Sequence, residues 1–180
     1  IKNSKGRGTI MDFQAYQQVI HVNSKGNLFL IGEAEYQARY DDEEPLMILP
    51  IQGKKDVAQI RHVVDDFLLE RIPNWKNPAR NRILLGLTEA VTNVVKHTPG
   101  GQVLLYIDKI GPRFHVIDEG TGLEFNRLSC LLFAKGFSTS GSLGAGFPLM
   151  IRFFKQILVC SSTMGTKLVL RSDLTQFLRS

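Results

Sequence analysis

The chain has 180 residues, 43% of them hydrophobic, and carries 22 Lys and Arg against 17 Asp and Glu, a net charge of +5. That is enough apolar material for one packed domain, and it excludes global disorder. No apolar run reaches the ~18 residues that span a bilayer, and the basic residues are too scattered for a nucleic-acid patch.

The first ten residues contain Gly6, Gly8 and several basic side chains, and read as a frayed end. Two β-prone runs, Val19 to Val22 and Leu28 to Ile31, flank Asn23-Ser-Lys-Gly-Asn27 and read as a β-hairpin. Asp41 to Glu44 form an acidic joint before Pro45. Leu46 to Ile51 reads as a strand. Lys54 to Glu70 reads as a helix, with Val57, Ile60, Val64, Phe67 and Leu68 on one face.

A loop from Pro73 to Pro78 precedes a second helix, Ala79 to His97, which Pro99-Gly100-Gly101 ends. Gln102 to Lys109 and Arg113 to Asp118 read as paired strands. Phe147 to Lys155 reads as a third helix that tolerates Pro148 in its first turn. Ile157 to Ser161 and Lys167 to Arg171 close as a hairpin around Met164-Gly165. The pattern is α+β: a mixed or antiparallel sheet with helices on one face.

Three motifs carry the chemistry. On the second helix Ile83, Leu84, Leu87, Val91 and Val94 form the apolar stripe, while Gly86, Glu89, Asn93 and Lys96 fall on another. Glu89 and Asn93 are one turn apart, so a carboxylate and an amide can meet one ligand. Asp118 leaves a strand into Glu-Gly120-Thr-Gly122, where small residues allow close approach of a flat ligand. Its carboxylate can accept from an exocyclic amine such as that of adenine.

The third motif, Gly141-Ser-Leu-Gly144-Ala-Gly146, runs into a helix, an arrangement that favours anions. It lacks the Gly-Lys-Ser/Thr of a Walker loop. Taken singly, the motifs also read as a solvated helix face, an Asp-Gly turn and a surface loop. His62, opposite its helix's apolar stripe, reads as a solvated side chain. His97 and His115 read as structural or peripheral. Cys130 and Cys160 lack metal-ligand spacing, read as packing residues and fit a reduced, cytoplasmic setting.

Together with Gly165-Thr166, these motifs resemble the GHKL ATPase superfamily of gyrase, histidine kinases and MutL, over roughly residues 46–171. The resemblance implies the two-layer Bergerat sandwich over residues 46–180, with residues 1–45 as an extension. That extension reads as the end of another domain, or as an added hairpin that widens the sheet or builds a homodimer.

The run Gly136-Phe-Ser-Thr-Ser-Gly-Ser-Leu-Gly-Ala-Gly-Phe-Pro148, and the entry Leu49-Pro-Ile-Gln-Gly53, are most similar to bacterial anti-sigma-factor kinases and the switch kinases of partner-switching and stressosome pathways. Ser138-Thr-Ser140 before Gly141, where an Arg is common, favours the switch-kinase branch.

The resemblance implies a Ser/Thr protein kinase that uses ATP and Mg²⁺ and acts on a STAS-domain partner, with a sigma factor or phosphatase as a second partner. It implies Glu89 as catalytic base and Asn93 as Mg²⁺ ligand. Asp118 becomes the adenine reader, supported by Thr166. Gly120, Gly122, Gly144, Gly146 and Lys96 complete the nucleotide site. Asn93-Val-Val-Lys-His-Thr-Pro also resembles sensor histidine kinases, which would require an upstream helical hairpin bearing a phosphoacceptor His. A third reading is a nucleotide-gated binding module without turnover.

Overall fold

A computed structural model describes residues 13–123 and 146–175. In chain order its elements are α1 (Phe13–Asn23), β1 (Leu28–Leu30), α2 (Glu33–Tyr40), β2 (Met47–Ile51), α3 (Lys54–Arg71) and α4 (Arg80–His97). Then follow β3 (Gly101–Asp108), β4 (Gly111–Asp118), α5 (Gly146–Phe153), β5 (Gln156–Ser162) and β6 (Gly165–Arg171). The fold is α+β, built on a six-stranded mixed sheet of order β1-β5-β6-β4-β3-β2. All pairs are antiparallel except β1 with β5.

Strand alternation divides the sheet's two faces. Val103, Leu105, Phe114, Val116, Ile157, Val159, Leu168 and Leu170 point into the main core. Over them lie Ile60, Val64 and Leu68 of α3, Ile83, Leu84, Leu87, Val91 and Val94 of α4, and Met150 of α5. The helical periodicities read from the sequence thus name the buried faces of α3 and α4. In the loop between them Trp75 is fully buried. Its indole N–H donates to Asp65 Oδ1 at 2.8 Å, and Arg80 Nε donates to the same oxygen at 2.7 Å.

The expected N-terminal hairpin is not formed. Val19 to Val22 belong to α1, and Leu28–Leu30 pair in parallel with β5 rather than with the preceding run. Burial overrides the β propensity of that run: Tyr16 and Ile20, four apart, share a helix face on the core. The helix also occupies the open edge of β1. Ser24 Oγ accepts from Leu28 N at 3.0 Å, and Gln17 Nε2 donates to Leu30 O at 2.8 Å. Side chains thereby satisfy backbone groups that an edge strand otherwise offers to another chain.

The helices are also not confined to one face. Tyr36 and Tyr40 of α2 pack with Ile31, Leu158, Cys160 and Val169 in a second apolar cluster. These sheet residues alternate with the core-facing ones, so α2 covers the opposite face. Beneath α2, His115 is wholly buried, with Nδ1 2.8 Å from the Tyr36 hydroxyl. The Tyr40 and Tyr106 rings stand 4.6 and 4.7 Å from it. Arg113, also buried, pairs with Glu43, and Lys167 pairs with Glu33. The Lys167 hydrogen bond holds the Glu33 carboxyl below its usual range.

Burial, aided by the charges of Arg113 and Arg171, holds His115 down to about 3. An unfolded His titrates near 6.5, so between these values only the unfolded chain takes up the proton. The stability this neutral imidazole supports is complete above pH ~6.5 and declines as pH falls toward 3, by ~2 kcal/mol at pH 5. Urea unfolding at pH 7.5 and pH 5 is expected to show this loss in the wild type and its absence in His115→Gln. Equal losses in both proteins would show that His115 does not carry it.

Candidate nucleotide site

At one end of the sheet, Asp118, Ser161 and Thr166 fall on the face that α3, α4 and α5 cover, by alternation from Val116, Val159 and Leu168. Asp118 ends β4, and its carboxylate organises the turn that follows. Oδ1 accepts from Gly120 N at 2.8 Å and from Thr166 N at 3.2 Å. Among the described residues both bonds fall on Oδ1, which leaves Oδ2 for a ligand. The β5–β6 turn presses against the same residue. Gly165 has φ +125°, and a Cβ there would lie 2.0 Å from Asp118 O. Only glycine fits that approach.

Gly122 is held in the same way. Its φ is +82°, and a Cβ would lie 2.2 Å from Ser162 O and 2.9 Å from Ser161 Oγ. Ser161 Oγ accepts from Leu123 N at 2.6 Å and stands 3.5 Å from Thr166 Oγ1. The glycine turn and the β5–β6 hairpin are therefore one stitched unit around Asp118 and the buried Thr166.

α4 links this unit to the first turn of α5. Its polar stripe is covered as far as Asn93 and exposed at Lys96. Glu89 and Asn93 are half-buried, and a Cβ on Gly146 would lie 3.0 Å from Glu89 Oε2 and 3.5 Å from Asn93 Nδ2. Gly86, on the same stripe, lies against the Phe154 ring. At the other end of α4, Thr98 lies against the glycine turn: a Cβ on Gly120 would lie 2.8 Å from Thr98 Cγ2. Thr98 Oγ1 donates to Val94 O at 2.9 Å and so closes the helix end. Glu89 and Thr98 are nine positions apart, about 13 Å along a helix axis, which makes the site elongated.

The arrangement suits a ligand with a flat polar group at one end and an anion at the other. Asp118 and Thr166 offer hydrogen-bonding groups at one end, and the helix dipole at the N-terminus of α5 favours negative charge at the other. Gly144 lies outside the described residues. Lys96 is exposed on the last turn of α4.

His62 and His97 are exposed, and His115 lies on the far face of the sheet, so none of the three belongs to this unit. Ser161 and Thr98 were missed in the sequence. The hairpin register was the available signal for Ser161, since it places Ser161 opposite Thr166.

Among the described residues, no three His, Cys, Asp or Glu side chains gather as a metal cage. Nor, among them, is any helix long and apolar enough to cross a membrane. The chain matches no family model and no curated protein.

Proposed function

We propose that this chain is an ATP-dependent protein Ser/Thr kinase of the GHKL type, acting in the cytoplasm on a STAS-domain partner of a switching pathway. One observation carries the reading. A single helix, α4, presents Glu89 and Asn93 to the glycine that opens α5, and lays Thr98 against the turn that Asp118 organises. Glu89 and Asn93, the Asp118 turn and Gly146, the last residue of the third motif, therefore lie along one helix.

In this reading Asp118 Oδ2 accepts the adenine amine, and the α5 N-terminus holds the phosphates. Asn93 offers its amide oxygen to Mg²⁺. When bound, the ion offsets the charge that develops on the transferred phosphoryl group. Glu89 takes the proton of the acceptor hydroxyl as that oxygen attacks the γ-phosphorus, and the bond from that phosphorus to the bridging oxygen breaks with ADP as the leaving group. The half-buried position of Glu89 against α5 suits a base that must reach an incoming side chain.

A histidine-kinase arrangement has less support. α1 and α2 are separated by β1 and pack on the sheet, and the imidazole of His21 in α1 lies tilted against the Phe29 ring, centroids 4.5 Å apart. The test is incubation with labelled ATP, alone and with candidate STAS proteins, followed by acid. Acid-stable label on a partner Ser or Thr is expected. Acid-labile label on the chain itself would overturn the reading in favour of a histidine kinase. Nucleotide-dependent complex formation without transfer would overturn it in favour of a binding module.

A further inference from the structure

Resting on the nucleotide reading above, we propose that Ser161 is a positioning residue that fixes the direction of the Thr166 hydroxyl and thereby the preference for adenine. Ser161 Oγ accepts the Leu123 amide proton at 2.6 Å. A hydroxyl has one proton to give; either oxygen of the 3.5 Å pair formed with the cross-strand neighbour Thr166 Oγ1 can be the donor, and in this proposal it is Ser161. Thr166 Oγ1, once an acceptor, turns its own proton away from Ser161 and toward the ligand.

The chain then runs one way, from the Leu123 amide through Ser161 and Thr166, with each donor polarised by the one before it. It ends in a donor. Beside it, Asp118 ends in an acceptor, because its Oδ1 is held by the amides of Gly120 and Thr166. A donor next to an acceptor complements adenine, whose N1 accepts and whose exocyclic amine donates. Guanine presents the reverse pattern at that edge, an N1–H donor and a carbonyl acceptor. It would leave both protein groups facing groups of their own kind.

Ser161 also closes the packing on this side, since Gly122 and the Ser162 carbonyl leave no room for a side chain between turn and hairpin. The Ser161 hydroxyl is thus held from both directions by the protein itself. This is preorganisation of a specificity contact rather than a contact made by Ser161 itself.

The experiment titrates wild type, Ser161→Ala, Ser161→Cys and Ser161→Thr with ATP and with 1-deaza-ATP, in which a C–H replaces the N1 acceptor. Wild type is expected to prefer ATP by about 3- to 10-fold, the range of one neutral hydrogen bond. In Ser161→Ala the preference is expected to collapse toward unity. Ser161→Cys, close to isosteric but a weak donor, is expected to do the same, so the test survives poor folding of the alanine variant. Ser161→Thr, which keeps the hydroxyl, is expected to restore the preference.

An unchanged preference in the alanine or cysteine variant would overturn the relay and leave the nucleotide reading intact. So would a wild type that binds both nucleotides equally. Failure of wild type to bind either nucleotide would overturn the nucleotide reading, and the relay with it.

Discussion

Glu89→Gln is expected to lower phosphoryl transfer by ~10²–10⁴-fold, the usual cost of losing a general base, while nucleotide affinity is unchanged. The choice of glutamine follows from the geometry. Glu89 Oε2 would lie 3.0 Å from a Cβ on Gly146, so the side chain fills the space beside the first turn of α5. Alanine would open that space and mix a packing defect with the chemical one. Glutamine keeps the volume and removes only the basicity. Single-turnover transfer to a STAS partner, with calorimetric ATP titration as the control, separates rate from binding. Wild-type transfer by the glutamine variant would mean that Glu89 is not the base.

Asp118→Asn is expected to weaken ATP by ~10- to 100-fold, within the ~1–3 kcal/mol cost of a buried donor left unpaired. Two backbone amides donate to Oδ1, so an asparagine must keep its carbonyl oxygen there. Its NH₂ then takes the place of Oδ2 and faces the adenine amine, donor against donor. The turn survives and the ligand contact is lost. Asp118→Ala removes both roles and additionally strips the Gly120 and Thr166 amides of their acceptor. It is therefore expected to lower the melting temperature as well as the affinity, whereas the asparagine variant lowers affinity alone. Equal ATP affinity in wild type and Asp118→Asn would remove Asp118 from the base site.

The parts of the fold that the sequence made legible are those where local pattern and tertiary burial agree. α3 and α4 announce themselves through the spacing of Ile60, Val64 and Leu68 and of Ile83, Leu87, Val91 and Val94, and those residues are the buried ones. The β3–β4 and β5–β6 hairpins follow from their turns and alternation.

The N-terminal third departs from its local sequence pattern because its structure depends on partners distant in sequence. Val19 to Val22 have β-branched character, yet α1 forms because Tyr16 and Ile20 meet the core and Gln17 and Ser24 satisfy β1. α2 carries only Tyr36 and Tyr40 as buried residues, too few for a periodic signal, and its place over His115 becomes visible only with the sheet.

The candidate site divides along the same line. The turns at Gly122 and Gly165 were legible from the glycines themselves, and both hold positive φ. That Glu89 and Asn93 face α5 rather than solvent was not readable from α4 alone. A polar stripe on a helix looks the same in either setting, and the packing of Gly86 on Phe154 and of Gly146 beside Glu89 decides it. Ser161 sits among ordinary strand residues, and only its cross-strand register ties it to Thr166.

The central claim is that the end of the sheet bearing Asp118 and the first turn of α5 form one adenine-nucleotide site. Calorimetric titration of the wild-type chain with ATP, with and without Mg²⁺, tests this most directly. The expected result is saturable one-to-one binding, tighter with Mg²⁺ and lost in Asp118→Ala. Absence of binding to ATP and ADP up to about 1 mM, where even a weak specific site of ~4 kcal/mol would half-fill, would contradict it.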